Sequence, residues 1–176
     1  MAKTNWAIDP SHSHIGFKVK YMIFTNVSGM FKDFQAVIES VDDQIETLKV
    51  SFTANVSSID TNSIDRDDHL RSSDFFDVVR YPIISFESTN IIQNSHNRFD
   101  MLGKFTIRDI TRSIALEVEY NELMKDPWGK TIVGLSLSGK VNRSDYGLDW
   151  NTSLETGGLL VGEEIKLFSD IQLIRQ

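Results

Sequence analysis

The feature that most constrains this chain is a period of two in its apolar residues, repeated in segment after segment. Ile15, Phe17, Val19 and Tyr21 alternate with Gly16, Lys18 and Lys20, and Leu48, Val50, Phe52 and Ala54 alternate with Lys49, Ser51, Thr53 and Asn55. Successive side chains of a β-strand point to opposite faces, so each run has one dry face and one wet face. The pattern recurs in Phe34, Ala36, Ile38; in Ile84, Phe86; in Phe99, Met101, Phe105, Ile107; in Ile114, Leu116, Val118, Tyr120; in Val133, Leu135, Leu137; and in Ile165, Leu167, Ile171, Leu173. About eight one-sided strands predict an all-β chain with antiparallel pairing, closed into a barrel or a sandwich. Pro127 and Gly129 in "DPWGK" supply turn geometry between two of them. The 176 residues fit a single domain spanning 1–176.

Only "RDDHLRSSDFFDVVRYPIISF", residues 66–86, breaks the alternation at length. Ser63 is placed to cap a helix beginning at Ile64. Asp65, Asp67 and Asp68 fall in its first turn, where the helix dipole favours anions, and Arg71 falls near its end. Ser73 is expected to cap a second short turn carrying Phe75, Phe76, Val78 and Val79, which must stop before Pro82. The segment thus reads as a short α-helical insertion around residues 63–80. Its charges have a structural explanation and its apolar side needs something to cover.

Other chemistry is thinly represented. His12 and His14 are two apart and would share a face if a strand has already begun there, but no acid or thiolate stands at a matching local spacing, so no metal site is expected. His69 and His96 are isolated in sequence. No Gly-x-Ser-x-Gly elbow occurs, and the glycine-rich "GGLLVGEE" lacks a phosphate-binding lysine and reads as a turn into the last strand. No cofactor is implied. With no cysteine there is no disulfide and no thiol chemistry. A net charge of -7 opposes a nucleic-acid or anionic-membrane partner. The start, "MAKTNWAIDPSHSHIGF", has no apolar run of signal-peptide length, and the reading is a cytoplasmic protein that does not span a membrane.

A small closed barrel either fills its interior with side chains or holds one ligand, and periodicity alone leaves both open. Phe17, Val19, Phe34, Phe86, Phe105 and Ile107 all lie on the apolar parity of their strands and are expected to point inward. Arg143 and Asp145 in "NRSDYGL" read either as a structural polar pair at a strand end or as contacts for a ligand's head.

Several ordered blocks resemble the YceI family of bacterial lipocalin-like polyisoprenoid-binding proteins: "WAIDPSHSHIGFKVKYMIFTNVSGMFKDF", "SSIDTNSIDRDDHLRSSDFFDVVRYPIISFES", "GKFTIRDITRSIALEVEY", "VNRSDYGLDW" and "VGEEIKL". One departure is Asp109, where the family usually has glycine; the change is expected to alter a turn. The resemblance implies an extended eight-stranded antiparallel barrel with a helix beside it, enclosing a tunnel for a long isoprenoid, often in a homodimer. It makes Phe75 and Phe76 a wall of that tunnel; for a ligand's head the candidates among the residues are His14, Arg143 and Asp145. The expected function is non-catalytic binding, transport or storage of a polyprenyl lipid, an isoprenoid quinone or a similar amphiphile. The alternative is an enzyme using His14, His69 and the nearby acids as acid–base groups on a lipid-like substrate.

Overall fold

A computed structural model describes residues 2–155 and 157–176. Its strands are β1 (Lys3–Ile8), β2 (His14–Tyr21), β3 (Thr25–Phe31), β4 (Phe34–Val41), β5 (Lys49–Asn55), β6 (Ile59–Asp60), β7 (Ile83–Gln93), β8 (Arg98–Ile107), β9 (Ile110–Tyr120), β10 (Met124–Lys125), β11 (Thr131–Asn142) and β12 (Val161–Arg175), with one helix, α1 (Ile64–Arg71). All pairings are antiparallel, and β11 joins β12 along Ile132–Asn142 to close the ring.

Three lanes of the resulting eight-stranded barrel are each broken into two strands. β1 and β2 form one lane, interrupted by a 3-10 turn at Pro10–His12; β12 pairs with both, setting Trp6 against Arg175 and Lys18 against Lys166. β3 and β4 form the next, pairing with β2 and β1 respectively, and β5 and β6 the third, bent by a 3-10 turn at Val56–Ser58. Asp9 and Asn55 set these turns, each accepting from a backbone N–H two residues on (Ser11 and Ser57). From there β5, β7, β8, β9, β11 and β12 follow in order around the barrel.

The eight segments with strict alternation are all strands, as their period of two predicts. The additional β1 and β3 have physical reasons for hiding. Trp6 is the one fully buried residue of β1. In β3 the inward positions are Val27, Gly29 and Phe31, and the glycine breaks the apolar alternation because the Phe17 ring lies over it; a Cβ there would sit 2.5 Å from that ring.

β6 pairs with β3 but carries no further strand on its other side, and α1 packs beside it. Ser63 caps α1 as expected, its Oγ accepting from the Arg66 N–H at 3.3 Å. The helix is shorter than the 63–80 insertion, however. Ser72, not Ser73, ends it and starts the next turn: its Oγ donates to the His69 carbonyl at 2.6 Å and accepts from the Asp74 N–H. The following residues form hydrogen-bonded turns that bury Phe75 and Phe76 and leave Val79 exposed, contrary to its expected place on the apolar side. No helix among the described residues is long and apolar enough to cross a membrane.

Candidate functional site

The barrel interior is not filled. A cavity of about 590 Å³ runs beside β12 from Val161 to Leu173, roughly 40 Å of strand path at 3.3 Å per residue. Its wall is overwhelmingly apolar. Phe17, Val19, Phe75, Phe76, Phe86, Phe105 and Ile107, all chosen from parity or from the resemblance, line it together. Large rings can lie back against the wall because glycine stands beneath them. A Cβ on Gly103 would come within 2.4 Å of the Phe86 ring and 2.5 Å of the Glu87 carbonyl, so only a bare backbone fits there.

Phe34 is the exception among the apolar candidates. At the start of β4, just after the chain leaves β3, it is half-buried with its ring 6.2 Å from that of Phe52, and it is Phe52 that reaches the cavity.

The two ends of the cavity differ in polarity. At one end the lining includes Leu48, Leu135 and Leu173, all buried. At the other it includes Tyr21, Ser63, Asp65, Arg66, His69, Trp150 and Leu160, which retain solvent access, so the mouth lies between α1, the β2–β3 connection and the loop before β12. His69 stands in an aromatic corner, its ring 5.0 Å from Phe75 and 4.6 Å from Trp150, both edge-to-face, with Nε2 2.9 Å from Asp74 Oδ2. The nearby acids weighed with His69 in the enzyme alternative are represented here by Asp74, whereas Trp150, much later in the chain, reaches it only through the fold.

Two buried charges hold the mouth in shape. Asp67 is buried in α1, and its Oδ1 accepts from both the Thr61 backbone N–H at 2.9 Å and the Thr61 hydroxyl at 2.5 Å, tying the helix to the end of β6. It is therefore more than an anion at a helix terminus. Arg143 is also buried and donates from Nε to Gly162 O at 2.8 Å, from one terminal nitrogen to Leu148 O and Trp150 O, and from the other to Val161 O. Burial pushes the Arg143 guanidinium below its ordinary pKa, opposed by the nearby negative charges of Glu163 and Asp149. The guanidinium serves carbonyls rather than a carboxylate at Asp145, which is exposed and off the cavity; the Asp145 carbonyl instead accepts from Arg112. Of the three head-group candidates, then, Arg143 alone touches the cavity. His14 points outward from the first residue of β2, with Nε2 3.5 Å from Asp170.

His12 and His14 do not converge. His12 belongs to the 3-10 turn before the strand, and its Nδ1 sits 2.8 Å from Asp9, whose carboxyl is held below the usual range by hydrogen bonds from His12 and Ser11. Among the described residues no cluster of histidines and acids could hold a metal ion. Behind Phe105, whose ring meets it edge-on at 5.7 Å, Tyr146 is 1% exposed with its hydroxyl unpartnered, and burial pushes that hydroxyl up to about 12.

The YceI-like domain model matches residues 6–173. The UPF0312 protein SA2479 of Staphylococcus aureus (strain N315) is 35% identical over 164 residues, covering 93% of both chains. Among solved structures, BcnA of Burkholderia cenocepacia superposes with a TM-score of 0.81 at 20% identity, over 94% of this chain and 98% of that one. A polyisoprenoid binding domain from Saccharophagus degradans, implicated in plant cell wall breakdown, superposes with a TM-score of 0.72 at 9% identity, over 97% of this chain and 98% of that one.

Proposed function

The chain belongs to the YceI-like domain family, and from that premise we propose that it binds one long isoprenoid or similar amphiphile in the lumen and carries or stores it unchanged. The observation that carries this reading is the polarity of the cavity: apolar along nearly all its length, with the charged side chains gathered at the mouth and Ser169 of β12 adding one hydroxyl deeper in. A polyprenyl lipid or isoprenoid quinone has the matching shape, an apolar chain ending in one polar group. Each CH₂ taken from water contributes about 0.8 kcal/mol, enough for a partly buried chain to bind after the entropic costs of association. His69 and Asp65 at the rim are the groups able to meet a head, while Arg66 already donates to the Thr61 hydroxyl and carbonyl. Arg143 is engaged with carbonyls, which leaves it a poorer head-group ligand than His69.

A second reading is favoured by the His69–Asp74 pair, which has the geometry of an oriented acid–base group beside an apolar site. Organic extraction of the purified protein followed by mass spectrometry separates the two. The carrier reading expects an intact isoprenoid; a chemically altered product, formed on incubation and lost in His69→Gln, would promote the enzyme. The lumen itself is tested by Gly103→Ala. The new methyl group meets both the Phe86 ring, which must move into the cavity, and the Glu87 carbonyl, which strains the β7–β8 pairing; long-chain affinity should fall by about ten-fold, with overpacking costing about 1–3 kcal/mol of stability. Unchanged affinity would mean that the chain binds elsewhere.

A further inference from the structure

The connection between β2 and β3, Met22-Ile23-Phe24, is apolar throughout and stands in solvent: Met22 is 50% exposed, Ile23 52% and Phe24 86%. Soluble loops are ordinarily polar, and this one also holds Met22 and Ile23 at φ 52° and 69°, a left-handed backbone that a β-branched residue rarely adopts. Leu159, 55% exposed, comes from the loop facing it, where the Met22 N–H donates to Leu160 O at 2.7 Å and Gly158 lies against Ile23. These residues therefore form one protruding apolar lip beside the cavity mouth, where Tyr21 and Leu160 line the opening.

A second observation lies just behind the lip. On the outward face of three neighbouring strands, Lys140 of β11 stands opposite Lys166 of β12, which stands opposite Lys18 of β2, and Lys20 lies two residues nearer the lip. Like charges directly opposite one another in a sheet are destabilising. Among the described residues the lysines in ion pairs are Lys3, with Glu39, and Lys32, with Asp60; this row has no such partner. Glu164 and Asp170 flank Lys166 on the same face of β12, and Lys18 lies over the Phe168 ring, so four exposed lysines stand against two carboxylates; in a chain whose net charge is -7 the face is still locally positive.

We infer that the lip and the lysine row form a docking surface for an anionic lipid bilayer, so that the cavity mouth opens onto the membrane. An apolar tip that sinks about 5–10 Å into the boundary between headgroups and acyl chains brings Lys20, one β-repeat back along the strand, to the level of the lipid phosphates. Lys18, Lys166 and Lys140 stand one repeat further out, within reach of the negative surface potential. A lipid tail then passes from bilayer to lumen without crossing water. The protruding tip suits a soft, penetrable partner better than the flat face of a second protein copy. The inference rests on the isoprenoid-carrier reading only for what passes through the mouth; docking and cargo are read separately.

Flotation with vesicles of phosphatidylcholine alone, and of phosphatidylcholine mixed with phosphatidylglycerol, tests it, with cavity occupancy followed by an apolar fluorescent dye. The unaltered protein should float with the anionic vesicles and more weakly with the neutral ones. Phe24→Ser should lose about ten-fold in vesicle affinity, and Lys18→Gln with Lys20→Gln about five-fold per lysine on anionic vesicles alone, all with dye binding unchanged. Binding without dye uptake would sustain the docking surface while removing the cargo. The inference is overturned if the unaltered protein floats with neither vesicle, if Phe24→Ser floats as well as the unaltered protein, or if Phe24→Ser acts only by converting a dimer to a monomer.

Discussion

The barrel has two halves that are completed in different ways. Where β1, β4, β5 and β7 meet, strand follows strand, each pairing over at least three consecutive residues, and the core behind them is buried Trp6, Ile38, Leu48 and Leu173. Where β3 meets β6 the ladder shortens to two residues, and a helix and turns take the place of the next strand. The first half is held by backbone ladders throughout, and the second, beyond β3, by side chains. Opening a mouth in a closed sheet interrupts its hydrogen bonding, and the orphaned backbone groups must find partners or cost free energy. Asp67 and Arg143 are among those partners, which is why two charged residues are buried at the mouth.

That contrast can be broken at its strongest point by Arg143→Met. The substitution keeps volume but abandons the carbonyls of Leu148, Trp150, Val161 and Gly162. We expect a loss of about 3–5 kcal/mol, summing several charge-assisted hydrogen bonds, and at about 2–4 °C per kcal/mol a melting temperature lower by roughly 6–20 °C in calorimetry. A drop under a few degrees would show that the mouth does not depend on this guanidinium. Asp67→Ala should be the next largest, about 2–3 kcal/mol, because it strands two donors of Thr61 in a buried site. Hydrogen exchange should show α1 and the 72–81 turns opening while β7, β8 and β9 stay protected; uniform loosening of all elements would erase the distinction between the halves.

The smallest effect at neutral pH, and the most specific, belongs to Tyr146 beneath Phe105. Its hydroxyl is raised to about 12 in the folded chain against an ordinary value of 10, so its contribution is fully present below pH 10 and is lost as pH rises toward 12, where the unfolded chain ionises first. About 2–3 kcal/mol should disappear over that window. Tyr146→Phe should melt at or above the temperature of the unaltered protein at pH 7, since a buried hydroxyl without a partner costs stability, and should show a shallower alkaline decline. Parallel alkaline profiles for the two proteins would remove burial as the cause.

The cavity wall was legible in sequence because the pleat fixes which residues face inward. Phe17, Val19, Phe86, Phe105 and Ile107 needed only their parity. Phe34 had the right parity and the wrong depth, since alternation says which face a ring occupies and nothing about how far along the barrel the lumen extends. The mouth was far less legible. His69, Asp74 and Trp150 meet through a helix end, a turn and a distant loop, and no spacing rule joins residues so separated. The role of Arg143 was hidden for a related reason: its partners are carbonyls, which every residue carries and no sequence motif marks.

One feature of the topology bears on how the molecule comes into being. β12 holds three neighbours at once, β1, β2 and β11, and sets Trp6 opposite Arg175. During synthesis the ring therefore cannot close until β12 has left the ribosome, and β1, β2 and β11 wait with unpaired edges. Contacts this remote in sequence make for slow folding, in the millisecond-to-second range of non-local β proteins. The same strand that seals the barrel thus sets a period of exposure for the nascent chain, during which edge-to-edge association competes with closure.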